Sequence, residues 1–294
     1  MMMLAFLGLG VMGFPMAGHL SQAGFDITVY NRTLKKSECW LQSYRGHSAL
    51  TPSEAVRSAD IVFACVGDDS NLRDITLGEQ GAYDGMKPGA FFVDHSTVSA
   101  EVSRELAGIA ESLGLGYLDA PVSGGQQGAE KAELTVMVGG EANDFSVVKP
   151  VIEHYAREVM LMGPVGNGQL CKMVNQICVA GLLEGLAEGL NFAEAAGLDV
   201  DQVVQVISKG AAQSWQMENR YKTMTAGEYN NGFAVDLMRK DLSIAMKEAS
   251  LNGAKLPVTE LVDQYYADVQ AMGGNRWDTS SLLARLKLSY EHDE

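Results

Sequence analysis

A short apolar run, Leu4-Ala5-Phe6-Leu7, is followed at once by Gly8-Leu9-Gly10-Val11-Met12-Gly13 and then by a helix-like stretch with Met16, Ala17 and Leu20 on one side. No other feature constrains the fold so strongly. A continuous apolar run of this length reads as a strand buried on both faces, so the glycines occupy a strand-to-helix turn. In such a turn Gly8 permits the tight bend, Gly10 lets the backbone approach a pyrophosphate, and Gly13 lets the helix pack closely on the sheet. The pyrophosphate would rest on the helix N-terminus, where unpaired N–H groups and the macrodipole favour an anion. The whole turn, including Leu9, Val11 and Met12, is therefore expected to hold a dinucleotide.

The second strand, Ile27-Thr28-Val29-Tyr30, ends where a site for NAD usually carries an acid on the ribose hydroxyls. Here the chain has Asn31-Arg32-Thr33 instead. A carboxylate would repel a 2'-phosphate, whereas the arginine fork pairs with one and the Thr33 hydroxyl adds a donor. NADP(H) is the expected cofactor, with NAD(H) the weaker alternative.

Strand-like and helix-like segments keep alternating to about residue 163. Ile61 to Val66 runs into Gly67-Asp68, Ala90 to Asp94 runs into His95-Ser96-Thr97, and Gly116 to Ala120 and Leu134 to Val138 follow. Alternation of this kind predicts a doubly wound, mainly parallel sheet of the Rossmann type, with ligands off the carboxyl ends of its strands. Val66, Gly67 and Thr97 thus fall on the cofactor side. Beyond Gly163-Pro164 the strand signals vanish. Gln169 to Ala196 reads as one long helix stopped by Gly197, Asp199 is placed to cap the next helix, and further helices follow. The expected organisation is an α/β domain over residues 1–163, joined by that long helix to an all-α domain over residues 164–294.

Bulk properties narrow the function classes. The formal net charge of −15 argues against nucleic acid or an anionic membrane as partner. No basic region precedes the first strand, so no secretory leader is expected. The stretch nearest to a membrane span, Leu170 to Ala196, is interrupted by Lys172, Glu184, Glu188 and Glu194. The four cysteines, Cys39, Cys65, Cys171 and Cys178, have no metal-ligand spacing, and neither have the five histidines, so no metal is expected. Cys171 and Cys178 read as two buried thiols in a reducing cytoplasm. Apolar residues on more than one side of the long helix, among them Leu182, Leu186 and Phe192, suggest either packing against a subunit partner or core packing within one subunit.

Two further segments carry chemistry. Asp119-Ala120-Pro121-Val122-Ser123-Gly124-Gly125 leaves a strand end and enters a glycine turn, whose N–H groups and Ser123 hydroxyl suit a small anion. Gly166-Asn167-Gly168 opens the long helix, and Lys172 and Asn175 then lie three apart on one face. A lysine near the positive end of a helix dipole, and desolvated, is biased towards its neutral form, which suits acid-base work.

These motifs, taken in order, resemble the β-hydroxyacid dehydrogenase family, whose members include 3-hydroxyisobutyrate dehydrogenase, tartronate semialdehyde reductase and the glyoxylate/succinic semialdehyde reductases. The fingerprint with Met16-Ala17 is similar to the family's cofactor motif, Asp119 through Gly128-Ala129 to its substrate motif, Gly166 to Asn175 to its catalytic motif, and Lys240-Asp241-Leu242 to its KDL segment. The resemblance spans essentially the whole chain. It implies an oxidoreductase that interconverts a short hydroxy acid and its aldehyde acid, with Lys172 catalytic and Asn175 beside it. It implies a substrate carboxylate at Ser123, Gly124 and Gly125, with Thr97, Phe233 and Asp241 shaping the substrate site and Lys240 next to them on the cofactor side. A homodimer or homotetramer is the implied assembly. Many relatives have Asn-Asn where this chain has Asn175-Gln176, so no one member's substrate is carried over. A non-catalytic NADPH-binding scaffold of the same fold would be free to lose Lys172 or the Ser-Gly-Gly turn, and this chain keeps both.

Overall fold

Leu4 to Leu7 are all buried, but they serve two different cores. Leu4 and Phe6 belong to one apolar cluster with Met16, Leu20, Ile61 and Phe63, while Ala5 and Leu7 belong to another with Val62, Ala64, Phe92 and Leu106. Strand side chains alternate faces, so a run that is apolar at every position must be covered on both sides. In the computed structural model, which describes residues 2–230 and 232–289, that covering is two layers of helices. The chain divides into two compact units, Met1–Lys172 and Met173–Glu294.

The first unit runs β1 (Met3–Leu7), α1 (Gly13–Gln22), β2 (Asp26–Tyr30), α2 (Leu34–Ser43), β3 (His47–Ser48), α3 (Pro52–Val56), β4 (Ile61–Ala64), α4 (Asp69–Leu77), α5 (Ala82–Gly85), β5 (Phe91–Asp94) and α6 (Ala100–Ser112). It continues with β6 (Gly116–Asp119), β7 (Val122–Ser123), α7 (Gly125–Glu130), β8 (Leu134–Gly139), α8 (Ala142–Ile152) and β9 (Ala156–Gly163). The strands form one sheet in the order β3-β2-β1-β4-β5-β6-β8-β7, with β9 on β8. From β3 to β6 every pairing is parallel, whereas β8 runs antiparallel to β6 and β9 parallel to β8. The doubly wound, mainly parallel sheet is as the alternation predicts. Its order reverses beside β1, which has β2 on one side and β4 on the other. The Gly8–Gly13 turn therefore opens at the switch point, where helices diverge and a crevice forms.

A long helix, α9 (Asn167–Ala195), begins in the first unit and continues in the second, so its first turns cluster with the sheet. The second unit goes on with α10 (Val200–Ile207), α11 (Trp215–Ala226), α12 (Val235–Asn252), α13 (Pro257–Ala271) and α14 (Leu282–Ser289). Asp199 caps α10, its Oδ1 accepting the Gln202 N–H at 3.0 Å. Leu183, Leu186 and Leu190 of α9 share a core with Met217, Met224, Met238, Leu242, Val262 and Tyr266.

Two sequence expectations change. By length and composition α9 does qualify as a membrane-crossing helix, because its four charged residues are spread along it and its most apolar stretch of 18 residues holds no more than two of them. Its buried side nevertheless forms the core just described. Cys178 is exposed rather than buried, and Cys171 is half-buried. The exposed side of α9 carries Val174, Cys178 and Leu182 at four-residue spacing, one stripe along the helix.

Candidate active site

Each fingerprint glycine has its own geometric reason. Gly8 has φ of +101°, and a Cβ there would lie 2.3 Å from the Cys65 carbonyl oxygen. At Gly13 a Cβ would lie 2.0 Å from the Gly8 carbonyl oxygen, while at Gly10 it would meet nothing within 4 Å. So Gly8 and Gly13 make the turn possible, and Gly10 leaves open space over it. No side chain caps the first turn of α1, whose N-cap position is Met12. The turn is tied to the end of β2: the Gly8 N–H donates to the Tyr30 carbonyl at 2.8 Å and the Leu9 N–H to Asn31 Oδ1 at 2.9 Å. Asn31 Nδ2 donates in turn to the Thr33 carbonyl at 3.1 Å. Asn31 thus holds the turn rather than reaching out with its side chain, whereas Val11, Arg32 and Thr33 are exposed. Uncapped helix donors and open space over Gly10 fit the diphosphate of a dinucleotide.

The loops after β4, β5 and β6 are bound to one another. The Val66 N–H donates to Ser96 Oγ at 2.9 Å, and the Ser96 N–H donates to Asp94 Oδ1 at 2.9 Å. Gly67 is exposed and Thr97 half-buried on this rim. His95, between them, is buried and stacks on Phe63. A carbonyl can only accept, so Nδ1 carries the proton donated to the Ala120 carbonyl at 2.6 Å, and Nε2 accepts the Tyr155 hydroxyl at 2.7 Å. Burial pushes the imidazole down to about 4, so it is neutral at physiological pH.

Lys172 is set by a cap supplied from the sheet. Asp119, fully buried at the end of β6, accepts the Gly166 N–H on Oδ1 at 2.7 Å and the Gln169 N–H on Oδ2 at 2.8 Å. Those donors belong to the entry of α9, which its own backbone cannot satisfy. Burial raises the Asp119 carboxyl and these donors oppose the rise, leaving it above its usual value. A Cβ at Gly168 would lie 2.4 Å from the Met137 carbonyl oxygen and 2.6 Å from that of Asp119, so only glycine lets the helix approach so closely. Gln169 then latches the next turn, accepting the Val98 N–H at 3.2 Å and donating to the Ser96 carbonyl at 2.9 Å. One turn later Lys172, itself buried, donates from Nζ to the Val122 carbonyl at 2.8 Å. Val122 leads directly into Ser123, Gly124 and Gly125, the last two with φ of +131° and +61° and exposed. A Cβ at Gly125 would meet nothing within 4 Å.

The first unit therefore brings together the fingerprint, Arg32, Thr33, Val66, Gly67, Thr97, the Ser123-Gly124-Gly125 turn and Lys172. In the second unit Asn175, Asp241 and Lys240 are joined through Gln176, whose Nε2 donates to Asp241 Oδ2 at 2.6 Å. Lys240 belongs to that unit and pairs with Asp241 at 3.0 Å. Phe233 is anchored separately, its N–H donating to Asp278 Oδ2 at 2.8 Å. Sequence reasoning gave no site role to Gln169, saw Asp119 only as part of the substrate motif, and saw Gln176 only as a departure from the Asn-Asn pattern. An acid at a strand end before proline, and a glutamine just inside a glycine-opened helix, were the available signals. Among the described residues no group of three or more His, Cys, Asp or Glu is placed to hold a metal ion.

Comparison with known proteins bears on this arrangement. The family model described as the NAD binding domain of 6-phosphogluconate dehydrogenase matches residues 3–163. The one described as the NAD-binding region of NADP-dependent 3-hydroxyisobutyrate dehydrogenase matches residues 166–286. An oxidoreductase of Shewanella frigidimarina is 63% identical over 285 residues, which are 97% of this chain and 98% of that protein. A 2-hydroxy-3-oxopropionate reductase of Escherichia coli is 36% identical over 291 residues, 99% of each chain. Among solved structures, Mycobacterium tuberculosis 3-hydroxyisobutyrate dehydrogenase with L-serine superposes with a TM-score of 0.86 at 30% identity, covering 97% of this chain and 99% of its own. With both halves matched and relatives aligned nearly end to end, the chain belongs to the β-hydroxyacid dehydrogenase family of NAD(P)-dependent oxidoreductases.

Proposed function

We propose that this enzyme interconverts a short hydroxy acid and its aldehyde acid, that it prefers NADP(H), and that Lys172 is its general acid and base. One observation carries the reading. Lys172 Nζ lies 2.8 Å from the carbonyl of Val122, the residue that opens the Ser123-Gly124-Gly125 turn. A proton donor and an anion-binding turn are thereby adjacent, as a substrate with a carboxylate at one end and a carbonyl close to it requires.

Gly8 to Gly13 hold the pyrophosphate, and the rim made by Val66, Gly67 and Thr97 borders the nicotinamide end. Arg32 and Thr33 receive the 2'-phosphate, helped by Lys35 and Lys36, both exposed in the first turn of α2. When bound in its reduced form, the nicotinamide supplies a hydride. Ser123 Oγ and the N–H groups of Gly124 and Gly125 bind the substrate carboxylate. Lys172 Nζ donates its proton to the substrate carbonyl oxygen as negative charge develops there. In the oxidative direction the neutral amine takes the proton from the hydroxyl. Asn175, three residues further along the helix, orients these oxygens.

The names of the Escherichia coli and Mycobacterium relatives support a short acid of this type. Glyoxylate, succinic semialdehyde, methylmalonate semialdehyde and tartronate semialdehyde are the candidates. Turnover of each with NADPH and with NADH, beside Lys172→Ala, is the test. The variant is expected to lose nearly all turnover while still binding NADPH in a fluorescence titration. Near-normal turnover in it would overturn the role of Lys172. The reading includes a cytoplasmic homodimer or homotetramer. Val174, Leu182 and Phe192 are exposed on α9 and would be covered by a second copy, which sedimentation at micromolar concentration tests.

A further inference from the structure

We infer that Gln176 is a positioning residue that decides which end of the Asn175 amide faces the reacting groups, taking its own direction from the buried Asp241 carboxylate. The inference rests on the proposed roles of Lys172 and Asn175.

Asp241 and Gln176 are 2% and 4% exposed, so their polar atoms are shielded from water and depend on partners within the protein. An ionised carboxylate only accepts hydrogen bonds, and an amide has one donating and one accepting end. Gln176 Nε2 lies 2.6 Å from Asp241 Oδ2, so the glutamine must present its NH2 group to Asp241. Its Oε1 then points the other way, and there it accepts from Asn175 Nδ2 at 2.8 Å. The asparagine is settled in turn: its NH2 group faces Gln176 and its carbonyl Oδ1 faces away. One anion thus sets the polarity of two successive amides. Lys240 Nζ lies 3.0 Å from the other carboxylate oxygen, an ion pair rather than an aligned hydrogen bond, and balances the charge. Met238 Sδ accepts a weak hydrogen bond from the same Gln176 Nε2 at 3.9 Å.

The polarity matters for the proposed chemistry. A carbonyl oxygen accepts from an ammonium or a substrate hydroxyl, whereas a flipped amide would present its own N–H groups to them. Asparagine in place of Gln176 is a methylene shorter and could not span both partners from the same backbone position. The departure from the Asn-Asn pattern is on this account a device for orienting Asn175.

The test is a double-mutant cycle of Gln176→Met and Asn175→Ala, measured with NADPH and the best aldehyde acid. NADPH affinity and the thermal midpoint are recorded alongside. Gln176→Met keeps the shape and removes these hydrogen bonds. It is expected to lower kcat by roughly ten- to a hundredfold, with NADPH affinity unchanged, and to add no further loss in the Asn175→Ala background. Gln176→Glu is nearest in shape but cannot donate to Asp241 when ionised, so it should lose at least as much. Additive losses in the double variant, or full kcat in a folded Gln176→Met, would overturn the inference. If Gln176→Met does not fold, Gln176→Asn replaces it in the same cycle with the same expectations. Lys172→Ala run in parallel separates the two levels. Retained turnover there removes the proposed function and this inference with it, whereas an inactive Lys172→Ala beside an additive cycle removes this inference alone.

Discussion

Gly8, Gly10 and Gly13 are alike in sequence and unlike in consequence. A methyl at Gly13 would press on the Gly8 carbonyl at 2.0 Å, and one at Gly10 would meet open space. Gly10→Ala is therefore expected to leave the thermal midpoint nearly unchanged yet to weaken NADPH binding tenfold or more. Gly13→Ala should cost about 1–3 kcal/mol of stability as well. Equal thermal midpoints for the two variants would contradict the geometry. Arg32, exposed beside Asn31, makes a second residue-level prediction. Arg32→Asp removes a charge-assisted pair and adds a repulsion, so NADPH affinity should fall by roughly a hundredfold while NADH affinity stays within a few-fold. A similar loss for both cofactors would remove the assigned preference.

Among the elements, α9 depends on a cap that is not its own. Its entry N–H groups are satisfied by Asp119, and its next turn is tied to the β5 loop by Gln169. Asp119→Asn turns an acceptor into a donor facing one of those N–H groups. About 1–3 kcal/mol of stability should be lost in chemical denaturation, and kcat should fall more than NADPH affinity, because the register of Lys172 against Val122 is what shifts. An unchanged kcat in this variant would show that the helix start is held by other contacts. Little of this was legible beforehand. Asp119 was visible as part of a motif, but nothing local marks it as the cap of a helix that starts almost fifty residues later.

For the whole molecule, two buried groups tilt stability with pH in opposite directions. His95 is held neutral, at about 4 instead of 6.5, by burial. Below the ordinary value the unfolded chain takes up a proton that the folded one refuses. The stability it contributes is therefore full above pH 6.5 and is lost as pH falls towards 4, by on the order of 3 kcal/mol. Glu184 on α9 is 7% exposed, and neither carboxylate oxygen has a hydrogen-bond partner among the described residues. Burial first, and Glu188 second, raise it to about 7 against a pull from Arg285. Here the folded state keeps the proton, so stability is highest below pH 4.5 and declines as pH rises through 7. Glu184→Gln should raise the thermal midpoint at pH 8 and change it little at pH 5. A shift of the same size at both values would mean that the carboxyl does not titrate in this range.

Much of the architecture follows from sequence because its causes are local. A strand covered on both faces must be apolar throughout, as Leu4 to Leu7 and Ile61 to Ala64 are. A glycine-rich exit from such a strand has few uses, and Arg32 stands where a site for NAD usually carries an acid. The strands that were missed have no such local cause. β3 is two exposed residues, and β9 buries Val159 but exposes Met160 and Met162 along its edge. They are strands because β2 and β8 offer them a ladder. The site divides in the same way. Lys172 and the Ser123-Gly124-Gly125 turn were each readable as motifs, but the hydrogen bond between Lys172 and Val122 crosses 50 residues, and the one between Gln176 and Asp241 crosses 65. Propensity and periodicity act over a turn or a strand. Which strand end meets which helix entry, and which way a buried amide faces, depends on partners that only the folded chain brings within hydrogen-bond distance.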